Sequence, residues 1–167
     1  KFFSAVCERI QNCRSELMAV DIADRKDSVK AWSFQDEYQR FLEAGVSAAK
    51  KPEVKATRIF VVDTVQPFRD PKLQEVVIGQ LEIGFEIVIL NYNVALAAKL
   101  RPDDFILIDD DFGFQLGDES FNKLNLEIGK NLIPKAFLKN YRETFDRLYA
   151  CEGVQKYNGP NDINRFR

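Results

Sequence analysis

The chain has 167 residues, of which 46% are hydrophobic and 30% charged, and this composition excludes the disordered and membrane-embedded classes. Its length corresponds to one globular domain with a single sizeable core. The 24 basic and 26 acidic side chains leave a formal net charge of −2, so no overall field attracts a phosphate backbone, and nucleic acid is predicted to be an unlikely partner.

Helices and strands are predicted to alternate over the first hundred residues, from apolar periods of three to four residues and short, wholly apolar runs. In chain order, the predicted elements are a helix over 2–16, strand 17–22, helix 34–49, strand 57–63, helix 71–81, strand 85–90, a short helix or covering segment over 94–100, strand 105–108 paired with 112–116, and helix 134–149. This order predicts an α/β fold, with a mixed, mostly parallel sheet and helices on both faces.

The predicted organisation is a single α/β domain over residues 1–151, followed by a polar C-terminal tail over 152–167. The tail is rich in polar residues, Gly and Asn, so we expect it to pack loosely or not at all. Because residue 1 is Lys rather than Met, we also expect the chain to be part of a larger protein. No apolar run reaches the roughly 20 residues that cross a bilayer, so no integral membrane contact is expected.

The three cysteines, Cys7, Cys13 and Cys151, are odd in number, lack CxxC spacing and have no His to accompany them. This pattern argues against a zinc site or a disulfide framework and favours free thiols in a reducing cytoplasm. Neither a GxGxxG nor a GxxxxGK[ST] sequence is present, so nucleotide binding by these glycine-rich loops is excluded. We predict no cofactor.

Aspartates follow or end several of the predicted strands. Asp21 and Asp63 end the first two strands, and Asp109 follows the fourth. If those strands are parallel, the three carboxylates line one edge of the sheet and form a ligand crevice there. They would then also suit Mg²⁺, which prefers oxygen ligands, and a magnesium-dependent phosphoesterase or nuclease is the alternative function. The competing interpretation is that Asp only marks where strands leave the core.

Two further residues are candidates for ligand binding. Asp104 belongs to the densest local cluster of charge, which continues through Asp109–Asp111. The competing structural interpretation is a solvated turn between two antiparallel strands. Trp32 is the only tryptophan and could stack on a ligand, although a lone Trp more often packs over the edge of a sheet.

The order of segments resembles that of the phospholipase D-like α/β fold, with the likeness extending over residues 1–151. The segments that carry it are 18–22, Trp32 with the following helix, 57–62, 84–89, 103–110 and the last helix, which is rich in Tyr and Phe. Active members of that family carry a His-x-Lys-x4-Asp signature, in which His attacks phosphorus, Lys holds the phosphate and Asp supports the site.

The resemblance places the Asp of that signature on Asp109, its Lys on Asp104 and its His on Pro102. Both chemical positions are therefore lost, and the resemblance implies a non-catalytic regulatory, sensing or interaction domain. Its expected partner is a protein or a small ligand. A homodimer is a further expectation, because phospholipase D-like domains build their site at a two-fold or pseudo-two-fold axis.

Overall fold

The computed structural model describes residues 2–22, 36–115 and 132–165. Its elements are α1 (Phe2–Gln11), β1 (Glu16–Ile22), α2 (Asp36–Ala49), β2 (Lys55–Val62), α3 (Pro71–Glu82), β3 (Glu86–Asn91), α4 (Tyr92–Ala97), β4 (Phe105–Ile108), β5 (Phe112–Gln115), α5 (Lys135–Tyr149) and β6 (Gln155–Lys156), with 3-10 turns at Gln66–Arg69 and Pro160–Arg165. None of the helices in these ranges combines the length and apolar character needed to span a bilayer.

The sheet has six strands in the order β5-β4-β1-β2-β3-β6. Strands β1, β2 and β3 run parallel, whereas β4, β5 and β6 pair antiparallel to their neighbours. The prediction of a mixed α/β fold is therefore confirmed, including the β4–β5 hairpin. The description "mostly parallel" is wrong for the described sheet, because an antiparallel strand flanks the parallel strands on either side.

Both faces of the sheet are covered by helices, as predicted. One hydrophobic cluster includes Ala19 and Phe60 on the face covered by α1, α2 and α3. The other includes Val20 and Ile59 on the face covered by α4 and α5. Because successive residues of a strand point to opposite faces, strands buried on both sides are mostly apolar, which explains the apolar runs in the sequence.

Local capping sets the ends of several helices. Asp70 accepts a hydrogen bond from the Lys72 amide at 2.8 Å and Pro71 is the first residue of α3, as the sequence predicted. Helix α1 ends at Gln11, earlier than predicted. The Lys51 ammonium group donates to the carbonyl oxygens of Gln11 and Cys13, at 2.6 and 3.0 Å, and so satisfies acceptors that the helix end leaves open.

The C-terminal segment packs into the fold, so the prediction of a loosely packed tail is wrong for its described part. Gln155 and Lys156 form β6 beside β3, and the Tyr157 amide donates to the Ile87 carbonyl at 2.9 Å. Tyr157 and Ile163 are only 1% and 6% exposed. These two buried side chains are surrounded in the sequence by polar residues, so no helical or strand periodicity predicted that they would be buried.

Candidate functional site

The predicted cluster of Asp21, Asp63 and Asp109 does not form. Because β4 is antiparallel to β1, the end of β4 lies beside the start of β1, and Asp109 contacts residues 13–16 there. Asp21 is five residues further along β1, which corresponds to about 16 Å at the rise of a β-strand. Within the described ranges, no group of three or more His, Cys, Asp or Glu side chains is arranged to hold a metal ion.

Asp109 holds together the turn that precedes β1. Its carboxylate accepts hydrogen bonds from the amides of Arg14, Ser15 and Glu16, at 3.0, 2.8 and 3.1 Å, and from the Ser15 hydroxyl at 2.9 Å. Burial by itself would raise the pKa of Asp109, but the amides of Glu16, Arg14 and Ser15 hold it well below the ordinary range. Three successive backbone amides thus form an anion-binding nest, and Asp109 fills it.

An Asp109→Asn variant is expected to lose about 1–3 kcal/mol of unfolding free energy at pH 7, because it removes the charge that accepts these hydrogen bonds. Asn tolerates the positive φ of 52° at this position, so backbone strain is not added. Because the folded-state pKa lies below the unfolded value of about 3.9, the ionised carboxylate stabilises the fold fully above that value, and this stabilisation declines as the pH falls from there through the folded-state pKa. The difference between the variant and the natural chain should therefore be smaller at pH 3 than at pH 7.

Urea unfolding at the two pH values measures this effect. Asp111→Asn is the matched control, because that carboxylate is 56% exposed and its contact with Arg14 is a 3.8 Å surface pair. Equal loss of stability in the two variants would contradict a special role for Asp109.

Asp104 fastens the other end of the same strand pair. Its Oδ1 atom accepts a hydrogen bond from the Ile22 amide at 2.6 Å, at the end of β1. Asp104 and Asp109 therefore lie at opposite ends of β4, and each holds β4 to β1 through backbone amides. The structure uses both residues as hydrogen-bond acceptors for the backbone, although the sequence placed them together as one acidic cluster.

Asp21 forms a buried ion pair. Its Oδ2 atom lies 2.7 Å from the Arg58 Nη1 atom, and the two side chains are 9% and 3% exposed. Burial raises the pKa of Asp21, and the Arg58 guanidinium group offsets part of that rise. The Arg58 guanidinium carbon also lies 5.9 and 5.6 Å from the ring centres of Phe60 and Phe85. Asp21 is therefore part of the core on the α1–α3 face.

A cleft of about 260 Å³ opens at the ends of β2 and β3, and we call it the strand-end cleft. Asp63 lies in it, whereas the predicted crevice was to be lined by Asp21, Asp63 and Asp109 together. The cleft is lined by Val62, Asp63, Thr64, Val65, Ile89, Asn91, Gly153 and Gln155. Gly153 and Gln155 come from the C-terminal segment, which forms one wall. Of the predicted site residues that the structure describes, Asp63 alone is among the lining residues.

The described lining residues of the strand-end cleft offer hydrogen-bonding groups and one charged side chain. Asp63 is exposed and supplies the carboxylate. The Asn91 side-chain oxygen accepts from the Asn93 amide at 2.8 Å, which fixes the side chain and leaves its NH₂ group as a donor. Gln155 is exposed and contributes a second amide. These groups can hydrogen-bond a ligand, but none of the described lining residues is paired as a nucleophile and base.

Sequence reasoning missed Asn91, Gly153 and Gln155. Asn91 carried a usable signal, because a capping residue directly after an apolar strand marks the point where a strand leaves the sheet. Gly153 and Gln155 carried none. A β-carbon on Gly153 would lie 3.0 Å from Val94 Cγ1, so the absence of a side chain allows the segment to pass close to α4. Trp32, the remaining predicted ligand contact, lies outside the described residues.

All three cysteines are free thiols. Cys13 is buried, and its sulfur donates to the Glu16 carbonyl at 3.2 Å. Burial, with the nearby Asp109 carboxylate, raises the pKa of the Cys13 thiol to about 11. Cys13 is therefore a protonated core residue at neutral pH and not a nucleophile.

Comparison with known proteins identifies a structural neighbour but no family. No protein-family model and no curated protein sequence matches the chain. A solved structure of TrmBL2, described as an archaeal chromatin protein with a novel mode of DNA binding, matches with a TM-score of 0.48 and 13% sequence identity. The match covers 93% of this chain and 50% of that one, so the chain spans about half the length of TrmBL2.

The prediction that nucleic acid is an unlikely partner stands against this neighbour, which is described as binding DNA. That prediction used the net charge of the whole chain, and a total near zero does not exclude a local basic surface. The DNA binding described for the neighbour is a property of TrmBL2.

Proposed function

We propose that the chain is a non-catalytic sensing domain that binds a small polar ligand in the strand-end cleft. The observation that carries this proposal is the composition of the cleft: one carboxylate and two side-chain amides converge between the ends of β2, β3 and the C-terminal segment. The Asp63 carboxylate and the amide oxygens of the described lining residues accept hydrogen bonds, which favours a ligand rich in hydrogen-bond donors over phosphate.

The phospholipase D-like architecture forms part of the proposal. At the positions of the family's catalytic signature this chain has Pro102, Asp104 and Asp109. Proline has no nucleophilic side chain, and the two aspartates accept hydrogen bonds from backbone amides at opposite ends of β4. With no His anywhere in the sequence, a member of that fold with these residues would bind rather than hydrolyse.

The alternative function, a magnesium-dependent phosphoesterase or nuclease, lacks the group of carboxylates that it needs to hold the metal ion. It required Asp21, Asp63 and Asp109 to converge, yet Asp21 is paired with Arg58 in the core and Asp109 fills a nest at the opposite edge of the sheet. Of the three carboxylates, Asp63 alone lines the strand-end cleft.

Thermal unfolding in the presence of a ligand panel tests the proposal. The panel contains a monosaccharide, a polyamine, a nucleoside, MgCl₂, inorganic phosphate and a short oligonucleotide. A ligand bound only by the native state, at 100 times its Kd, stabilises by about 2.7 kcal/mol, which corresponds to a rise in Tm of about 5–10 °C for a chain of this size. We expect such a rise with an uncharged or cationic member and its loss in Asp63→Asn.

Glu53→Gln is the matched control, because Glu53 is an exposed carboxylate in the turn before β2, at the opposite edge of the sheet. It should leave the rise in Tm unchanged. Hydrolysis of a phosphodiester by the natural chain would contradict a non-catalytic domain. A stabilisation by MgCl₂ that disappears in Asp63→Asn would instead favour the metal-dependent alternative.

A further inference from the structure

We propose a second binding site, for a small anion that carries an apolar group, in a cleft between α5 and the β4–β5 hairpin. This α5 cleft has a volume of about 280 Å³, just below the about 300–1,000 Å³ of known ligand pockets. It is lined by Leu107, Asp110, Phe112, Lys135, Leu138, Lys139 and Arg142.

The positive charge of the α5 cleft follows from helical spacing. Lys135, Lys139 and Arg142 stand at positions i, i+4 and i+7 of α5, so they share one face of the helix. Asp110 is the only carboxylate among the described residues that line the cleft. The cleft therefore has an excess of positive charge in a chain whose net charge is slightly negative.

The three cations are not equivalent. The Arg142 Nη1 atom lies 2.9 Å from Glu16 and 2.8 Å from Asp110, so Arg142 is held in place and its charge is compensated. Lys139 makes only a 3.9 Å pair with Glu143, and both side chains are well exposed, so this pair contributes little. Lys135 is exposed and forms no ion pair with any residue in the described ranges. The two lysines are the groups available to an anion.

The apolar part of the cleft requires that the ligand carry an apolar group in addition to its negative charge. Leu107 and Leu138 belong to the hydrophobic cluster on the α4–α5 face and supply apolar lining to the cleft. A fully hydrated anion would leave this apolar surface uncovered, whereas a ligand with an apolar group removes it from water at roughly 25 cal/mol per Å². The site therefore suits a phosphate or carboxylate attached to a short apolar body, whether as a free metabolite or as a lipid headgroup.

Titration calorimetry with phenyl phosphate tests this site. We expect saturable binding that weakens about tenfold in the double variant Lys135→Gln/Lys139→Gln, because two charge-assisted contacts are lost. The control is Lys50→Gln/Lys55→Gln, which removes two exposed lysines from the segment around the start of β2 and should leave binding unchanged. All four lysines are exposed, so neither double variant should lose its fold.

Additional ligands separate the alternatives. Equal binding of inorganic phosphate or of benzyl alcohol would overturn the proposal, since it requires both the charge and the apolar group. Binding of an oligonucleotide that depends on Lys135 and Lys139, without any binding of phenyl phosphate, would also overturn it. Co-sedimentation with phosphatidylserine vesicles that phenyl phosphate displaces would support the site and identify a lipid headgroup as the source. Phenyl phosphate binding without co-sedimentation would support it for a free anion. None of these results depends on the strand-end cleft.

Discussion

An Arg58→Met variant is expected to lose about 3–5 kcal/mol of unfolding free energy, because it leaves the Asp21 carboxylate buried without its cation. Met keeps much of the apolar stem that packs beside Phe60 and Phe85. In this variant the Asp21 carboxyl group should have a raised pKa in the folded state, because burial favours its neutral form. The variant should therefore be more stable at low pH, where Asp21 is protonated, and should lose stability as the pH rises. The deficit should therefore be smaller at pH 5 than at pH 7 in urea unfolding experiments.

Two further variants distinguish the ion pair from general packing. Arg9→Met also removes an arginine that lies over an aromatic ring, 5.4 Å from the centre of Phe112, but Arg9 is exposed, and its loss should cost less than about 1 kcal/mol. Adding Asp21→Leu to Arg58→Met should recover part of the loss, because the unpaired charge is then removed. A double variant less stable than Arg58→Met alone would contradict this account.

A Tyr157→Ala variant should lose about 3–5 kcal/mol, the usual cost of truncating a buried aromatic residue. Tyr157 is 1% exposed, and its ring centre lies 5.6 Å from that of Phe68, which in turn lies 5.2 Å from Phe60. This contact attaches the C-terminal segment to the core on the α1–α3 face. Urea unfolding measures the loss.

The neighbouring Asn158→Ala is the control, since Asn158 is exposed and, within the described ranges, its hydrogen bond is made by the backbone amide, to Asp162 at 2.7 Å. It should change stability by no more than about 0.5 kcal/mol. If Tyr157→Ala were equally mild, residues 152–165 would be the loosely packed tail that the sequence suggested. Because Gly153 and Gln155 line the strand-end cleft, a destabilised segment should also weaken ligand binding there.

Local sequence patterns were sufficient to locate most elements. The short apolar runs of β1, β2 and β3 predicted strands buried on both faces, and the structure places each within two residues of its predicted range. The Asp70–Pro71 pair predicted the start of α3 because capping is a contact between near neighbours in the chain. The two-residue strand β6 is too short for any periodic signal, and its existence depends on the exposed edge of β3.

The same local pattern, an aspartate at the end of an apolar strand, had different outcomes at Asp21, Asp63 and Asp109. Asp63 lines the strand-end cleft, whereas Asp21 is paired with Arg58 from β2. Asp109 lies at the other edge because β4 runs antiparallel to β1. The sequence by itself determined the α/β class and the positions of the main strands and helices, since these depend on hydrophobic periodicity and capping between near neighbours. Only the tertiary structure decided which carboxylates meet, because strand direction and pairing are set by contacts between residues far apart in the chain.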